Sequence, residues 1–133
     1  MDLSAYEPGQ EVTRGTVYRR IPNWEGFFDY EEDVPDLAVF TPRPQDQGAL
    51  SAHLDQNEVL KALASPRHAG FGLLRLDIET MKRETAGRIR VEFDPRGLGS
   101  RSHVRIHGCT DDEIRALLAN LAEVVHPPEQ PSK

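Results

Sequence analysis

The sequence predicts an α+β fold, a small mixed or mostly antiparallel sheet with a C-terminal amphipathic helix packed on one face. Three observations carry this. Residues 88–93 (RIRVEF) and 102–106 (SHVRI) alternate strictly between apolar and polar, and the eight residues between them (DPRGLGSR) are rich in turn formers, which reads as an antiparallel hairpin. Residues 16–21 (TVYRRI) alternate in the same way and are rich in β-formers. From residue 110 to 125, Ile114, Leu117, Leu118, Leu121, Val124 and Val125 are spaced for one face of a helix that must lie on the sheet.

Taken in order, the first ten residues carry no period and are expected to lie loosely on the surface. In the strand at 16–21, period two places Val17, Arg19 and Ile21 on one face. If that face is buried, Arg19 needs a partner, because an unpaired buried charge costs several kcal/mol; the opposite register buries Tyr18 and leaves Arg19 free. Residues 22–36 hold Trp24, Phe27, Phe28 and Tyr30, four of the chain's nine Phe, Trp and Tyr residues, and five acids lie between Asp29 and Asp36. The aromatics either cover the core or form an interaction patch, with cover the expected role. The acids lack the turn glycine of a calcium loop and read as a solvated run. Residues 37–40 (LAVF), bounded by Pro35 and Pro42, suit a strand, and 49–52 a second extended piece. Asp55 and Glu58 form a capping-box pattern for a helix over 56–64, ending at Ser65-Pro66. Residues 70–76 return as a strand, followed by a helical turn over 77–84 that Gly87 stops. Thr110, with Glu113 three residues on, caps the last helix through Val125, and Pro127-Pro128 end it.

Size and composition fit one domain over residues 1–133, with loosely ordered ends at 1–12 and 127–133. At 133 residues the chain can bury one core without disulfides or metals. Cys109 is the only cysteine, so no internal disulfide forms and a reducing compartment is expected. No stretch approaches the roughly 20 apolar residues of a membrane span, and the polar start lacks the apolar core of a signal peptide; a cytoplasmic location and no membrane partner are the expectations. A net charge of −6 argues against nucleic acid as a partner.

The charge is unevenly placed. Residues 82–105 carry seven basic side chains against three acidic, a balance of +4, whereas residues 1–36 carry three basic against nine acidic, a balance of −6. With the apolar hairpin residues turned toward the terminal helix, Arg88, Arg90, Glu92, His103, Arg105 and His107 share the other face. Such a face suits an anionic ligand, an acidic protein partner or self-association, or is a solvated sheet face. His103 and His107 are four apart, which on a strand separates them by roughly 13 Å, too far for one metal ion; no metal site is expected. His107 with Cys109, and Ser51 with His53, bring a nucleophile near a base but supply no third, orienting group, so no catalytic residue is nominated. Gly97-Leu98-Gly99 leads to a strand instead of a helix and reads as a hairpin loop.

The succession Val17-Tyr18-Arg19-Arg20-Ile21, Ala38-Val39-Phe40, Ala49-Leu50-Ser51-Ala52, Gly70-Phe71-Gly72-Leu73 and His103-Val104-Arg105-Ile106-His107-Gly108 resembles a group of small bacterial proteins of unassigned function. Tyr18-Arg19 and Leu50-Ser51 are also similar to the elements of ADP-ribosyltransferase-like domains in which a first-strand Arg or His and a later Ser cradle NAD. That resemblance implies Arg19 on phosphate and Ser51 on sugar. Those enzymes also rely on a late glutamate, where this chain has Arg105 and His107, with Glu92 on the preceding strand.

Two functional expectations result. The first is a non-enzymatic binding or accessory protein, needing no cofactor, that meets a protein partner or a second copy of itself through Arg88, Arg90, His103, Arg105 and His107 and through Trp24, Phe27 and Phe28. The second is a nucleotide-dependent enzyme of the ADP-ribosyl-transfer type, or its inactive binding-only relative, using Arg19, Ser51 and NAD.

Overall fold

The structure is a computed structural model that describes residues 2–97 and 99–131. Met1, Leu98 of the expected hairpin loop, and Ser132 and Lys133 of the expected tail lie outside the described residues.

Among the described residues nine strands and three α-helices form an α+β fold. The strands are β1 (Glu11–Val12), β2 (Thr16–Ile21), β3 (Phe28–Asp29), β4 (Val34–Pro35), β5 (Leu50–His53), β6 (Gly72–Asp77), β7 (Arg90–Phe93), β8 (His103–His107) and β9 (Glu123–His126). The helices are α1 (Gln56–Leu63), α2 (Ile78–Glu84) and α3 (Asp112–Leu121). Seven strands make one sheet in the order β1-β7-β8-β5-β2-β6-β9, with every pairing antiparallel, and β3 and β4 form a separate two-stranded ribbon.

Period two divides the sheet into two unlike faces. Val17 and Ile21 of β2, Leu74 and Leu76 of β6, Val91 and Phe93 of β7 and Val104 and Ile106 of β8 turn to one side. There they form the core with Ile78 and Met81 of α2 and Ile114 and Leu118 of α3. The hairpin alternation therefore places its apolar set on the helix side, as the pattern predicts. On the opposite face α1 packs against β2 and β5. Beyond α1 this second face is polar.

Arg19 lies on the core side, between buried Val17 and Ile21. Its partners are backbone carbonyls instead of a carboxylate. Nε and Nη2 donate to the Val39 carbonyl at 2.9 and 2.7 Å, and Nη1 donates to that of Ser51 at 2.5 Å. Burial brings its pKa down to about 10, which leaves it cationic at neutral pH.

The Val39 carbonyl is available because residues 37–40 are not a strand. They form a 3-10 turn, Leu37–Phe40, whose N-cap Asp36 accepts from the Ala38 N–H at 3.0 Å. Val39 and Phe40 are buried by the turn itself, so an apolar run flanked by prolines meets its burial requirement without a sheet neighbour.

Two capping expectations are corrected. Asp55 caps α1 by accepting from Asn57 N–H, but Glu58 does not return to Asp55; it reaches across to the Arg101 and Ser102 N–H groups (3.0 and 2.8 Å) and to the Ser102 hydroxyl (2.5 Å). The cap of α3 is Asp111, one residue after Thr110, accepting from Ile114 N–H at 2.9 Å.

The last helix is also shorter than its apolar spacing suggests. It ends at Leu121, and residues 123–126 extend as β9 along the free edge of β6. A strand there gives hydrogen-bond partners to an otherwise open edge. Gly72 permits the approach, since a Cβ at that position would lie 2.4 Å from the His126 carbonyl oxygen.

Segments near both ends of the described chain are fastened. β1 pairs with β7, Gly9 N–H donates to the Phe93 carbonyl (2.8 Å), and Val12 is buried in the core. At the other end Glu129 N–H donates to the Gly70 carbonyl (2.8 Å), and the Tyr30 hydroxyl donates to the carbonyl of Glu129 (2.9 Å). Within the aromatic segment Phe28 joins the core, and Phe27 packs against it. Trp24 stays 55% exposed, meeting Phe27 and Phe71 edge-on at 5.3 and 5.7 Å.

Candidate functional site

The polar face of the sheet is ordered in rows. Register pairs Ser51 of β5 with Arg105 of β8, and Arg105 with Glu92 of β7; His53 pairs with Tyr18 of β2 and with His103 of β8. Arg20, two residues along β2 on the same face as Tyr18, lines the same cleft as Ser51. One row thus reads Ser51, Arg105, Glu92, and the next reads Tyr18, His53, His103.

Above these rows lies a cleft of about 520 Å³. Its floor is Arg20, Ser51, His103 and Arg105, and its walls are the segment carrying Arg43, Asp46 and Gln47 and the hairpin loop carrying Asp94 and Arg96. Four guanidinium groups therefore face two carboxylates. Arg43 pairs with Asp46 at 3.0 Å and Arg96 with Asp94 at 3.2 Å, both at the exposed rim. On the floor, Arg105 Nη2 donates to the Asp46 carbonyl at 3.0 Å, and Arg20 Nη1 donates to His68 Nε2 at 2.8 Å. Neither floor arginine has a carboxylate partner among the described residues. The Arg20 pKa is lowered, first by burial and then by repulsion from Arg43 and Arg67.

Ser51 and His103 meet at the cleft floor, the Ser51 Oγ lying against His103 Nε2. The other ring nitrogen, Nδ1, is 2.9 Å from the Asp94 backbone carbonyl and 3.2 Å from Asp94 Oδ2. A carbonyl oxygen only accepts, so Nδ1 carries the proton and Nε2 is left to accept the serine O–H. His103 is 2% exposed, and burial lowers its pKa against the opposing pull of Asp94. It is held as the neutral imidazole.

Glu58 secures this arrangement from α1. Its three acceptor contacts fix Arg101 and Ser102 immediately before His103. Burial tends to raise its pKa, but the bonds from Ser102 and Arg101 outweigh that and hold it below the usual value.

His53, 9% exposed, packs edge-on to His103 with ring centroids 5.4 Å apart. Burial, reinforced by His103 and Arg20, takes its pKa from 6.5 down to about 4. Between these values the unfolded chain binds a proton that the folded chain excludes, so stability falls as pH drops through the window and levels below it. Urea unfolding from pH 7 to pH 4 is expected to show a loss approaching about 3 kcal/mol from His53, and His53→Gln should flatten this part of the profile. An unchanged profile in that variant would assign the loss to other groups.

The residues singled out in the sequence are thus distributed over several environments. Ser51, His103 and Arg105 come together at the cleft. Arg19 does not line it, its donors being committed beneath the sheet. Arg88 precedes β7 and pairs with Asp111 at 2.8 Å, while His107 bonds Glu92 at 2.7 Å and not Cys109. Cys109 is buried, which pushes its thiol up to about 11 against the weaker pull of Arg19 and Arg115. Arg90 is exposed on the strand, and Trp24, Phe27 and Phe28 belong to the separate aromatic segment.

Sequence reasoning paired Ser51 with His53, its neighbour on the same strand, and found no orienting group. The partner is His103, 52 positions away, and the orienting group is Asp94. Alternation puts Ser51 and His103 on polar faces of their own strands, but only the pairing of β5 with β8 makes those faces one. Among the described residues no group of three or more His, Cys, Asp or Glu side chains is arranged to hold a metal ion, and no helix is long and apolar enough to cross a membrane. Comparison with protein-family models, curated proteins and solved structures found no match.

Proposed function

We propose that the chain binds a small phosphate-bearing ligand, with nucleotides the first class to test, in the arginine cleft. The observation that carries this reading is the convergence of four guanidinium groups on one concave site that holds two carboxylates, with both floor arginines free of an acidic partner among the described residues. Like charges gathered this way repel, and an anion relieves the repulsion while taking paired N–H donors from planar forks. Ser51 adds a hydroxyl at the same floor. This reading keeps Ser51 as a ligand contact and moves the anion-holding role from Arg19 to its neighbour Arg20.

The site also explains why the reading rests on the cleft and not on the hairpin as a whole. Arg88 and His107 are bonded to Asp111 and Glu92 within the fold. They contribute little unmet positive charge to a partner.

Thermal unfolding against inorganic pyrophosphate, ADP-ribose, NAD and nucleoside triphosphates tests the proposal. A ligand at 100 times its dissociation constant adds about 2.7 kcal/mol to stability, so a rise of several degrees is expected with at least one of them. Arg20→Ala and Arg105→Ala should each remove most of that rise, and added salt should weaken it. A panel with no shift, or a shift indifferent to both substitutions, would overturn the assignment.

A further inference from the structure

We propose that Ser51 is a nucleophile for phosphoryl transfer, with His103 as its general base and Asp94 as the positioning residue that holds the imidazole. The inference rests on the anion-binding reading of the cleft and adds a reaction to it.

Three geometric requirements of an activated serine are met. The hydroxyl contacts Nε2; Nδ1 is engaged by the Asp94 carbonyl and carboxylate, which sets the tautomer; and both reacting groups open onto a site large enough for a substrate. Ser51, His103 and Asp94 come from β5, β8 and the loop after β7, so the arrangement belongs to the sheet and is fixed by its register. The neutral form of His103 is the one that can take a proton.

The surroundings select phosphorus over carbon as the reacting centre. β5 lies between β8 and β2, so its backbone N–H groups run within the sheet and do not project into the cleft as an oxyanion hole would require. Around Ser51 the cleft is lined by Arg105, its cross-strand partner on β8, and by Arg20 of β2. Guanidinium forks match the several oxygens of a phosphoryl group, on which charge is spread in the transition state.

The chemistry balances without an oxidant or a further reactant beyond water. His103 Nε2 takes the Ser51 proton as an Oγ–P bond forms and the bond from phosphorus to the leaving oxygen breaks. That oxygen departs with the electron pair on the far side of phosphorus and takes a proton from solvent, while His103 keeps the Ser51 proton. A water molecule then attacks phosphorus from that far side and loses a proton to solvent; the P–Oγ bond breaks, Oγ recovers the proton from His103 Nε2, and phosphate is released.

The full-length chain would be incubated with p-nitrophenyl phosphate and with bis(p-nitrophenyl) phosphate, following p-nitrophenol release and, after acid quench, phosphoserine by peptide mass mapping. Pyrophosphate binding would be followed in parallel by thermal unfolding. The expected result is turnover of at least one ester with phosphoserine at Ser51. Release should fall about 100-fold or more in Ser51→Ala and in His103→Asn. Asp94→Asn should lower kcat and move the acid limb of the pH–rate profile to lower pH. Asp94 and Arg96 from the hairpin loop and His53 from β5 are the charged and titratable groups set against His103, and only the carboxylate of Asp94 favours its cation.

Pyrophosphate binding with neither turnover nor phosphoserine would overturn the nucleophile and leave the cleft assignment standing; no binding at all would bring down both. Release that persists in Ser51→Ala, or p-nitrophenyl acetate acylating Ser51 while both phosphate esters remain intact, would equally overturn phosphoryl transfer at this serine.

Discussion

Arg19→Ala is expected to lower the free energy of unfolding by about 3 kcal/mol, from loss of charge-assisted hydrogen bonds to carbonyls that are then left without those donors. The side chain joins the 3-10 turn Leu37–Phe40 to β5 through Val39 and Ser51, two segments that no strand pairing connects. The turn in turn packs against α3, so the loss should propagate to the helix that covers the sheet. Urea unfolding followed by circular dichroism reads the effect as a lower midpoint with an unchanged slope. Arg19→Lys should recover only part of the loss, because an ammonium cannot reproduce the planar fork that reaches two carbonyls in different directions. A loss below about 1 kcal/mol would mean that water replaces the guanidinium at both carbonyls, within the range of an ordinary single hydrogen bond. The experiment also separates the two roles open to this residue. A phosphate ligand would lose affinity on substitution and keep its stability, whereas an internal fastening loses stability first.

Gly108→Ala is expected to cost about 3–5 kcal/mol, through backbone strain together with a clash against main chain that cannot move alone. Gly108 follows β8 with φ +105°, and a Cβ there would lie 2.1 Å from the Arg88 carbonyl oxygen and 3.0 Å from its carbon. Those atoms belong to the segment leading into β7, the partner of β8. Gly15 supplies the control: its φ is +106°, and nothing lies within 4 Å of the same built Cβ. Gly15→Ala therefore carries the conformational cost, about 1–3 kcal/mol, without the clash. The difference between the two variants, read from chemical unfolding at one pH, isolates the close approach of the chain behind β8. Equal losses would show that the segment before β7 yields, and that Gly108 is required only for its dihedral.

Period and turn chemistry determined much of this protein directly. The alternation in 88–93 and 102–106 marks β7 and β8 and places their apolar sides correctly, because a strand has only two faces and one must be buried. The apolar spacing after residue 110 marks α3, and TVYRRI marks Arg19 as a charge in need of partners if the face of Val17 and Ile21 is the buried one; the structure decides that it is. The same signals fail where the chain has two ways to bury the same side chains. LAVF reaches the core from a 3-10 turn as well as it would from a strand, and residues 123–126 leave the helical pattern because β6 offers an open edge. Capping patterns fail for a related reason: Glu58 has a better use 43 residues away, at Arg101 and Ser102, than at its own helix terminus.

The candidate site belongs almost wholly to the tertiary structure. Ser51, His103, Asp94 and the cleft arginines come from separate strands and loops, and no spacing in the chain relates them. They meet because β5 pairs with β8 and β2 in one register, and a slip of one residue would turn Ser51 to the core and His103 away from it. Local sequence determines which face of a strand is polar; which polar faces stand side by side is decided only when distant strands share hydrogen bonds.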